Sequence, residues 1–166
     1  MFETERLSVR RIGLEDAGFM LAMLTDPGFL TQIGDRGVRT LEDAEDYIRD
    51  RVLASYEEHG FGMYLVSLKK TREAIGTVGF VRRTGLNAPD IGFAFLEQHT
   101  GQGYGQEAAR ALIDWGRRTL NIGPLLAITA PDNAASAALL RTLGFRETGR
   151  VLLPAHGGES RLFVEG

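Results

Sequence analysis

Residues 97–105 read Glu97-Gln98-His99-Thr100-Gly101-Gln102-Gly103-Tyr104-Gly105. The stretch that follows, Gln106 to about Thr119, places Ala108, Ala111, Leu112 and Trp115 on one helical face. Just before it, Ile91 to Leu96 is an apolar run of strand length. The order is therefore strand, glycine loop, helix. Glycine lets backbone amides approach a ligand with no Cβ in the way. The first amides of a helix have no internal partners, and the helix dipole adds partial positive charge. Such a junction binds phosphate groups. A tight strand-to-helix turn, with glycine needed for geometry alone, is the other reading of the same residues.

Two phosphate motifs compete for this loop. The P-loop needs Gly-Lys-Ser/Thr after its spacer, and no such lysine is present. Gly103-Tyr104-Gly105-Gln106-Glu107-Ala108 does fit the dinucleotide form of glycine-x-glycine-x-x-alanine. That motif opens a β-α-β half and is followed by an acid about 20 residues on. Here Leu125 to Ala130 carries no acid, and the next one is Asp132. The dinucleotide form is thus the closer of these two motifs, but its context is missing, and a nicotinamide- or flavin-dependent oxidoreductase is a minor reading.

Working outward, Leu7, Val9 and Arg11 alternate with Ser8 and Arg10, a first strand. Leu14, Ala17, Met20, Leu21 and Leu24 recur at helical spacing, and Asp26-Pro27-Gly28 stops that helix. Residues 29–39 read as loop. Thr40 and Asp43 form a capping box for a helix over about Leu41 to His59, which Gly60 ends. Met63 to Leu68 and Ala74 to Val81 are a strand pair around a polar turn, and Arg82 to Pro89 is a polar loop. Leu125 to Thr129 is a short strand. Pro131-Asp132-Asn133 leads into an alanine-rich helix ending at Leu143-Gly144-Phe145. Arg146 to Val164 holds two strands around a turn at Pro154 to Gly158. Strands in hairpins followed by β-α-β-α-β make a mixed α/β (α+β) fold with helices on the faces of one sheet.

The composition fits one ordinary domain over residues 1–166, with 43% hydrophobic and 25% charged residues. There is no cysteine, which excludes disulfides, thiolate metal sites and a covalent cysteine intermediate. The net charge of −3 argues against a nucleic-acid surface. His59, His99 and His156 have no metal-ligand spacing, so no metal is expected. No apolar run approaches the roughly 18 residues that span a membrane. The acidic start Met1-Phe2-Glu3-Thr4-Glu5-Arg6 is unlike a signal peptide, so the expected compartment is cytoplasmic. Nothing distinguishes a monomer from a homodimer.

The segment Thr100 to Ala108 resembles the acyl-CoA diphosphate loop of the GCN5-related N-acetyltransferases (GNAT family). Gly103 and Gly105 match that family's glycine pair, while Thr100 stands where Gln or Arg is usual. Asn133-Ala134-Ala135-Ser136-Ala137-Ala138-Leu139-Leu140 with Gly144-Phe145 resembles its second cofactor motif. Thr4-Glu5-Arg6-Leu7-Ser8-Val9-Arg10 resembles the opening of the RimJ/RimL-like branch, which acetylates ribosomal-protein N-termini. The resemblance covers Phe2 to Val164. It implies a mostly antiparallel mixed sheet of about seven strands flanked by about four helices. It also implies an N-acetyltransferase that uses acetyl-CoA and an amine-bearing acceptor, a peptide N-terminus or a small molecule.

Acetyl transfer to an amine needs a held pantetheine, a neutral amine, donors for the oxyanion and a proton for the departing thiolate. The resemblance implies that the strand around Phe93 to Phe95 splays from its neighbour and pairs with the pantetheine. It implies that the backbone of Thr100, Gly101, Gln102, Gly103, Tyr104 and Gly105 cradles the diphosphate. Asn133 is assigned a cofactor contact, and a helix N-cap is its plain structural alternative. Leu140 stands where the family usually has a tyrosine acid. The resemblance to the RimJ/RimL-like branch implies that Ser136, one turn earlier, is the thiolate's proton donor, with a helix-start serine satisfying its own backbone as the structural alternative. Asp90 is the candidate base, acting through water, with a surface aspartate in a turn as the alternative. The 29–39 segment and the helix after it are expected to shape the acceptor side, and Glu73 or His156 could line it, with a solvated turn residue as the alternative. A CoA-binding module without turnover is the second functional reading.

Overall fold

A computed structural model describes residues 1–154 and 158–166, so the expectation for His156 lies outside the described residues. Eight strands form one sheet: β1 (Phe2–Glu3), β2 (Leu7–Arg11), β3 (Met63–Leu68), β4 (Ala74–Val81), β5 (Asp90–Phe95), β6 (Leu126–Thr129), β7 (Phe145–Leu152) and β8 (Glu159–Glu165). Their spatial order is β1-β2-β3-β4-β5-β6-β8-β7. Every neighbouring pair is antiparallel except β5 with β6. The eighth strand is β1, two residues paired to Val9 and Ser8, too short to show a period.

The helices are α1 (Ala17–Leu24), α2 (Pro27–Gln32), α3 (Leu41–Tyr47), α4 (Ala54–His59), α5 (Tyr104–Trp115) and α6 (Ala134–Thr142). A π-helical stretch, Ile48–Leu53, joins α3 to α4 without a break, so the helix expected over 41–59 is continuous. Its capping box is present: Asp43 N donates to Thr40 Oγ1 at 3.0 Å, and Thr40 N to Asp43 Oδ2 at 3.2 Å. Residues 29–32, read as loop, are helical. Asp26-Pro27 stops α1 and also starts α2, because proline at the first helical position lacks only an amide that would go unused. The helix after the glycine loop starts at Tyr104 rather than Gln106, so Gly105 is helical.

The core sits on the strands, and the middle of β4 is buried at six consecutive positions. Leu7 and Val9 of β2, Ile75, Val78 and Phe80 of β4, and Phe163 of β8 are fully enclosed. Helix α5 packs on β2, β4 and β5 through Ala108, Ala109 and Leu112, while α6 packs on β6 and β7. Tyr56 of α4 ties the other side together. Its hydroxyl accepts from Ile12 N at 3.0 Å and donates to the Met63 carbonyl. Burial pushes its pKa up to about 12, so it keeps the proton it donates. Among the described residues no helix is long and apolar enough to cross a membrane.

Candidate active site

All six residues of β5 pair with β4, but only Asp90 pairs with β6, opposite Leu126. Leu126 N also donates to Pro89 O at 3.0 Å, and there the ladder stops. Beyond it β6 pairs with β8 on its far side, and the two parallel strands part toward their C-terminal ends. The edge of β5 from Ile91 to Phe95 that faces β6 has no strand partner among the described residues. Both strands lead into helix N-termini at that end, α5 after β5 and α6 after β6. A crevice outside the carboxyl ends of neighbouring parallel strands is where open α/β sheets bind ligands. The expected splay of the Phe93–Phe95 strand is present.

A cleft of about 970 Å³ runs along this parting. Its walls include Gly92, Phe93 and Ala94 of β5, Ile128 and Thr129 of β6, and Asn133, Ser136 and Leu140 at α6. Asp90 also lines it, and it is not the surface aspartate that its place after proline allows. It is fully enclosed, and it is the one β5 residue paired with strands on both sides. Arg83 Nε donates to its two oxygens at 2.9 and 3.1 Å. Burial raises the Asp90 pKa, the Arg83 cation opposes that rise, and the result is about 6. A carboxylate so placed sits near the range where it exchanges protons at neutral pH.

Asn133 caps α6: its Oδ1 accepts from Ser136 N at 3.1 Å. The cap uses only the carbonyl oxygen, and the side-chain amide nitrogen has no partner among the described residues. Cap and ligand donor are therefore compatible roles on one side chain. Pinning Ser136 N orients the first turn of α6. The Ser136 hydroxyl lines the cleft and has no hydrogen-bond partner among the described residues. Leu140, one turn on, is buried in the same wall and presents only methyl groups.

The glycine loop lies beside this cleft, and none of Thr100 to Gly105 lines it. Thr100 is exposed and turns inward on its own loop, its Oγ1 donating to Glu97 O at 2.8 Å. Gly101 and Gly103 adopt the left-handed conformation, φ +77° and +82°, which other residues rarely take. Gln102 is exposed, with its carbonyl turned to Arg6. Tyr104 opens α5 with the Arg6 guanidinium 4.4 Å above its ring. Gly105 is needed for contact rather than conformation: a Cβ there would lie 3.2 Å from Leu139 and 3.6 Å from Phe95. Phe95 thus packs under the start of α5, and Phe93, two residues earlier on the same strand, borders the cleft. The first amide of this turn bonded within α5 is Glu107 N, to Gly103 O at 3.1 Å, which leaves the earlier ones free for an anion.

The opposite side of the cleft is built by Met20, Met23, Phe29, Ile33 and Arg36, with Tyr47, Asp50 and Arg51 from the helix that follows. The 29–39 segment therefore does reach the cleft. Glu73 does not: it sits in the β3–β4 turn beside His99, 3.3 Å away. Arg83 belongs to the site as well, and its one signal in the sequence is an opposite charge seven residues before Asp90 across a hairpin loop. Ser160 and Thr129, buried polar residues of the wall, look in sequence like ordinary strand positions. No cluster of three His, Cys, Asp or Glu able to hold a metal occurs among the described residues.

Comparison with known proteins bears on this arrangement directly. Residues 6–146 match the family model of the acetyltransferase (GNAT) domain. The uncharacterized N-acetyltransferase p20 of Bacillus licheniformis is 32% identical over 147 residues, 88% of this chain and 82% of that protein. The crystal structure of an acetyltransferase from Agrobacterium tumefaciens strain C58 superposes with a TM-score of 0.81 at 28% identity, covering 99% of this chain and 93% of that one. RimL, a ribosomal L7/L12 alpha-N-protein acetyltransferase, shares the fold with a TM-score of 0.80 at 20% identity, covering 98% and 94%. A family match over most of the length, on a sheet parted between β5 and β6 beside a glycine loop, makes this chain a member of the GNAT family of N-acetyltransferases.

Proposed function

We propose that the chain transfers an acetyl group from acetyl-CoA to a primary amine, which attacks the thioester directly in a ternary complex. The observation that carries this reading is the unpaired edge of β5. It runs from a buried carboxylate at Asp90 to the glycine loop, with the Ser136 hydroxyl and the Asn133 amide across the cleft. Acetyl-CoA supplies the activated acyl group. The free backbone groups around Phe93 to Phe95 match an amide-bearing pantetheine arm as a strand would, and a main-chain N–H there polarises the acyl carbonyl. The backbone of Gln102 to Gly105 holds the diphosphate, and Asn133 donates its side-chain amide. Ser136 delivers a proton to the departing sulfur. Asp90 takes one from the acceptor through water. RimL, which shares the fold, was solved in complex with coenzyme A.

The acceptor is a protein or peptide N-terminus or a small amine. An α-amino group, with a pKa of about 8, is already about a tenth neutral at pH 7, whereas a lysine side chain is not. That is within reach of a base with a pKa near 6. One observation favours a second reading, a CoA-binding module without turnover: Leu140 offers no proton where the family carries a tyrosine. Calorimetric titration with acetyl-CoA, with NADH as a parallel control, tests the donor site. Thiol release over a panel of peptide N-termini and small amines tests turnover. Binding with release supports the enzyme, binding without release on any amine supports the module, and no binding of acetyl-CoA or CoA by folded protein removes both.

A further inference from the structure

The opening motif Thr4-Glu5-Arg6-Leu7 has no place in the chemistry above, yet it reaches the glycine loop. Glu107, in the first turn of α5, is the anchor. Its Oε2 accepts from Thr4 Oγ1 at 2.5 Å and from Arg6 N at 2.9 Å, and its Oε1 accepts from Arg6 Nε at 2.8 Å. From that anchor the Arg6 guanidinium lies over Tyr104, and its Nη1 donates to the Gln102 carbonyl at 3.0 Å. Its Nη2 lies 3.3 Å from where a Cβ on Gly103 would be. One side chain thus touches three consecutive positions of the loop.

The consequence lies in peptide geometry. In a trans peptide the C=O and the following N–H point in opposite directions. Holding the Gln102 carbonyl on Arg6 therefore aims the Gly103 N–H away from Arg6. One of the two residues that flank that peptide, Gly103, has no Cβ to oppose its rotation, so the Arg6 contact is the restraint on it. The contact needs a fork: Nε on the carboxylate, Nη1 on the carbonyl and a flat face on the ring. Lysine, a single point charge, cannot make all three. Arg6 also neutralises Glu107, a carboxylate that would otherwise repel an anion at the same helix end.

We propose that Arg6 is a positioning residue for the donor site, holding the Gln102–Gly103 peptide so that the Gly103 N–H is presented to the diphosphate of a CoA thioester. This rests on the acetyl-CoA reading above. The test compares Arg6→Lys and Arg6→Ala with wild type on two donors: acetyl-CoA, and S-acetylpantetheine, which lacks the diphosphate. The Arg6 side chain is 43% exposed, so both variants are expected to fold, as checked by their unfolding midpoints. The expected result is a rise of about tenfold in Kd and KM for acetyl-CoA, the scale of one lost charge-assisted hydrogen bond. kcat and all parameters for S-acetylpantetheine stay unchanged, and Arg6→Lys does not rescue. Wild-type affinity for acetyl-CoA in a folded variant overturns the proposal. So does an equal loss on both donors, full rescue by lysine, or failure of both variants to fold, which would make Arg6 a structural anchor. Wild-type protein that binds S-acetylpantetheine or neither donor, but not acetyl-CoA, defeats the acetyl-CoA reading itself and this inference with it.

Discussion

Arg83 and Asp90 meet where the sheet splits. Nε of Arg83 is shared between both Asp90 oxygens, at 2.9 and 3.1 Å, next to the one residue pair that joins β5 to β6. Asp90 is enclosed and Arg83 is not, with 24% of its side chain exposed. The arginine thus reaches in from the surface and only partly compensates a carboxylate that has lost its water. Burial wins, and the acid is weakened to a pKa of about 6.

If Asp90 is the base, this weakening is visible in the pH–rate profile. The acceptor amine must also lose a proton, with a pKa of about 8 for an α-amino group. Log(kcat/KM) is then expected to rise with slope one between pH 6 and 8, and with slope two below about pH 6, where Asp90 also protonates. Asp90→Asn should lose about a hundredfold in kcat at pH 7.5 and keep only the amine limb. A profile measured from pH 5 to 9 in which the variant keeps the steep segment would remove Asp90 from the chemistry.

The same shift predicts a trade between stability and activity. The folded-state pKa of about 6 lies above the ordinary 3.8. Between those values the native state binds more protons than the unfolded chain. The contribution of this group is therefore full below about pH 4 and falls as pH rises through 6, then stays flat. Asp90→Asn should abolish that fall and melt at or up to about 5 °C above wild type at pH 7.5. Thermal unfolding at pH 4.5, 6 and 7.5 checks it. A variant that melts lower at pH 7.5 would mean that the Arg83 pair outweighs the burial of Asp90.

Ser136 and Asn133 separate by readout. The Ser136 hydroxyl bonds to no described residue, so Ser136→Ala should leave the melting temperature unchanged. It should lower kcat by about ten- to a hundredfold, with acetyl-CoA affinity intact, since only the departing thiolate needs that proton. Asn133→Ala should instead cost about 1 kcal/mol of stability through the lost cap on Ser136 N, and weaken acetyl-CoA binding as well. Kinetics beside thermal melts tell the two apart. A Ser136→Ala enzyme with normal kcat would leave the proton to water.

Much of this was readable in the chain because it is local. The period-two runs of β2, β3 and β4, the Thr40–Asp43 box and the strand-loop-helix order at residues 91–115 depend on neighbours in sequence. What was not readable depends on partners far away. Asp90 is buried at the place where β5 pairs with Leu126, 36 positions on, whereas the preceding Pro89 points only to a turn. Arg6 and Glu107, 101 positions apart, look like ordinary surface charges until the fold brings them to 2.8 Å. Helix α2 is six residues long, too short for a period to declare itself, and its start signal was spent on ending α1. The three glycines of the loop look equivalent in sequence, and the backbone makes them unequal.

That inequality gives the last prediction. Gly103 has φ +82° and stands against Arg6, so an alanine there is strained whatever space it finds. A left-handed non-glycine residue costs about 1–2 kcal/mol, and the loop can escape it only by turning the peptide that presents the Gly103 N–H. Gly103→Ala should therefore weaken acetyl-CoA binding by about tenfold or more. Gly105 is helical, and its added methyl would meet only Leu139 Cδ2 at 3.2 Å and the Phe95 ring at 3.6 Å. A leucine end can yield by a few tenths of an ångström. In addition, alanine favours the helix over glycine by about 1 kcal/mol, so Gly105→Ala should change stability and affinity little. Gly105→Val does not have that latitude: its branched side chain pushes α6 away from α5, and the melting temperature should drop by several degrees. Titration calorimetry on the two alanine variants decides the matter. Equal affinity in both would mean that the loop holds the diphosphate by helix dipole and charge alone, with the orientation of the Gly103 peptide irrelevant.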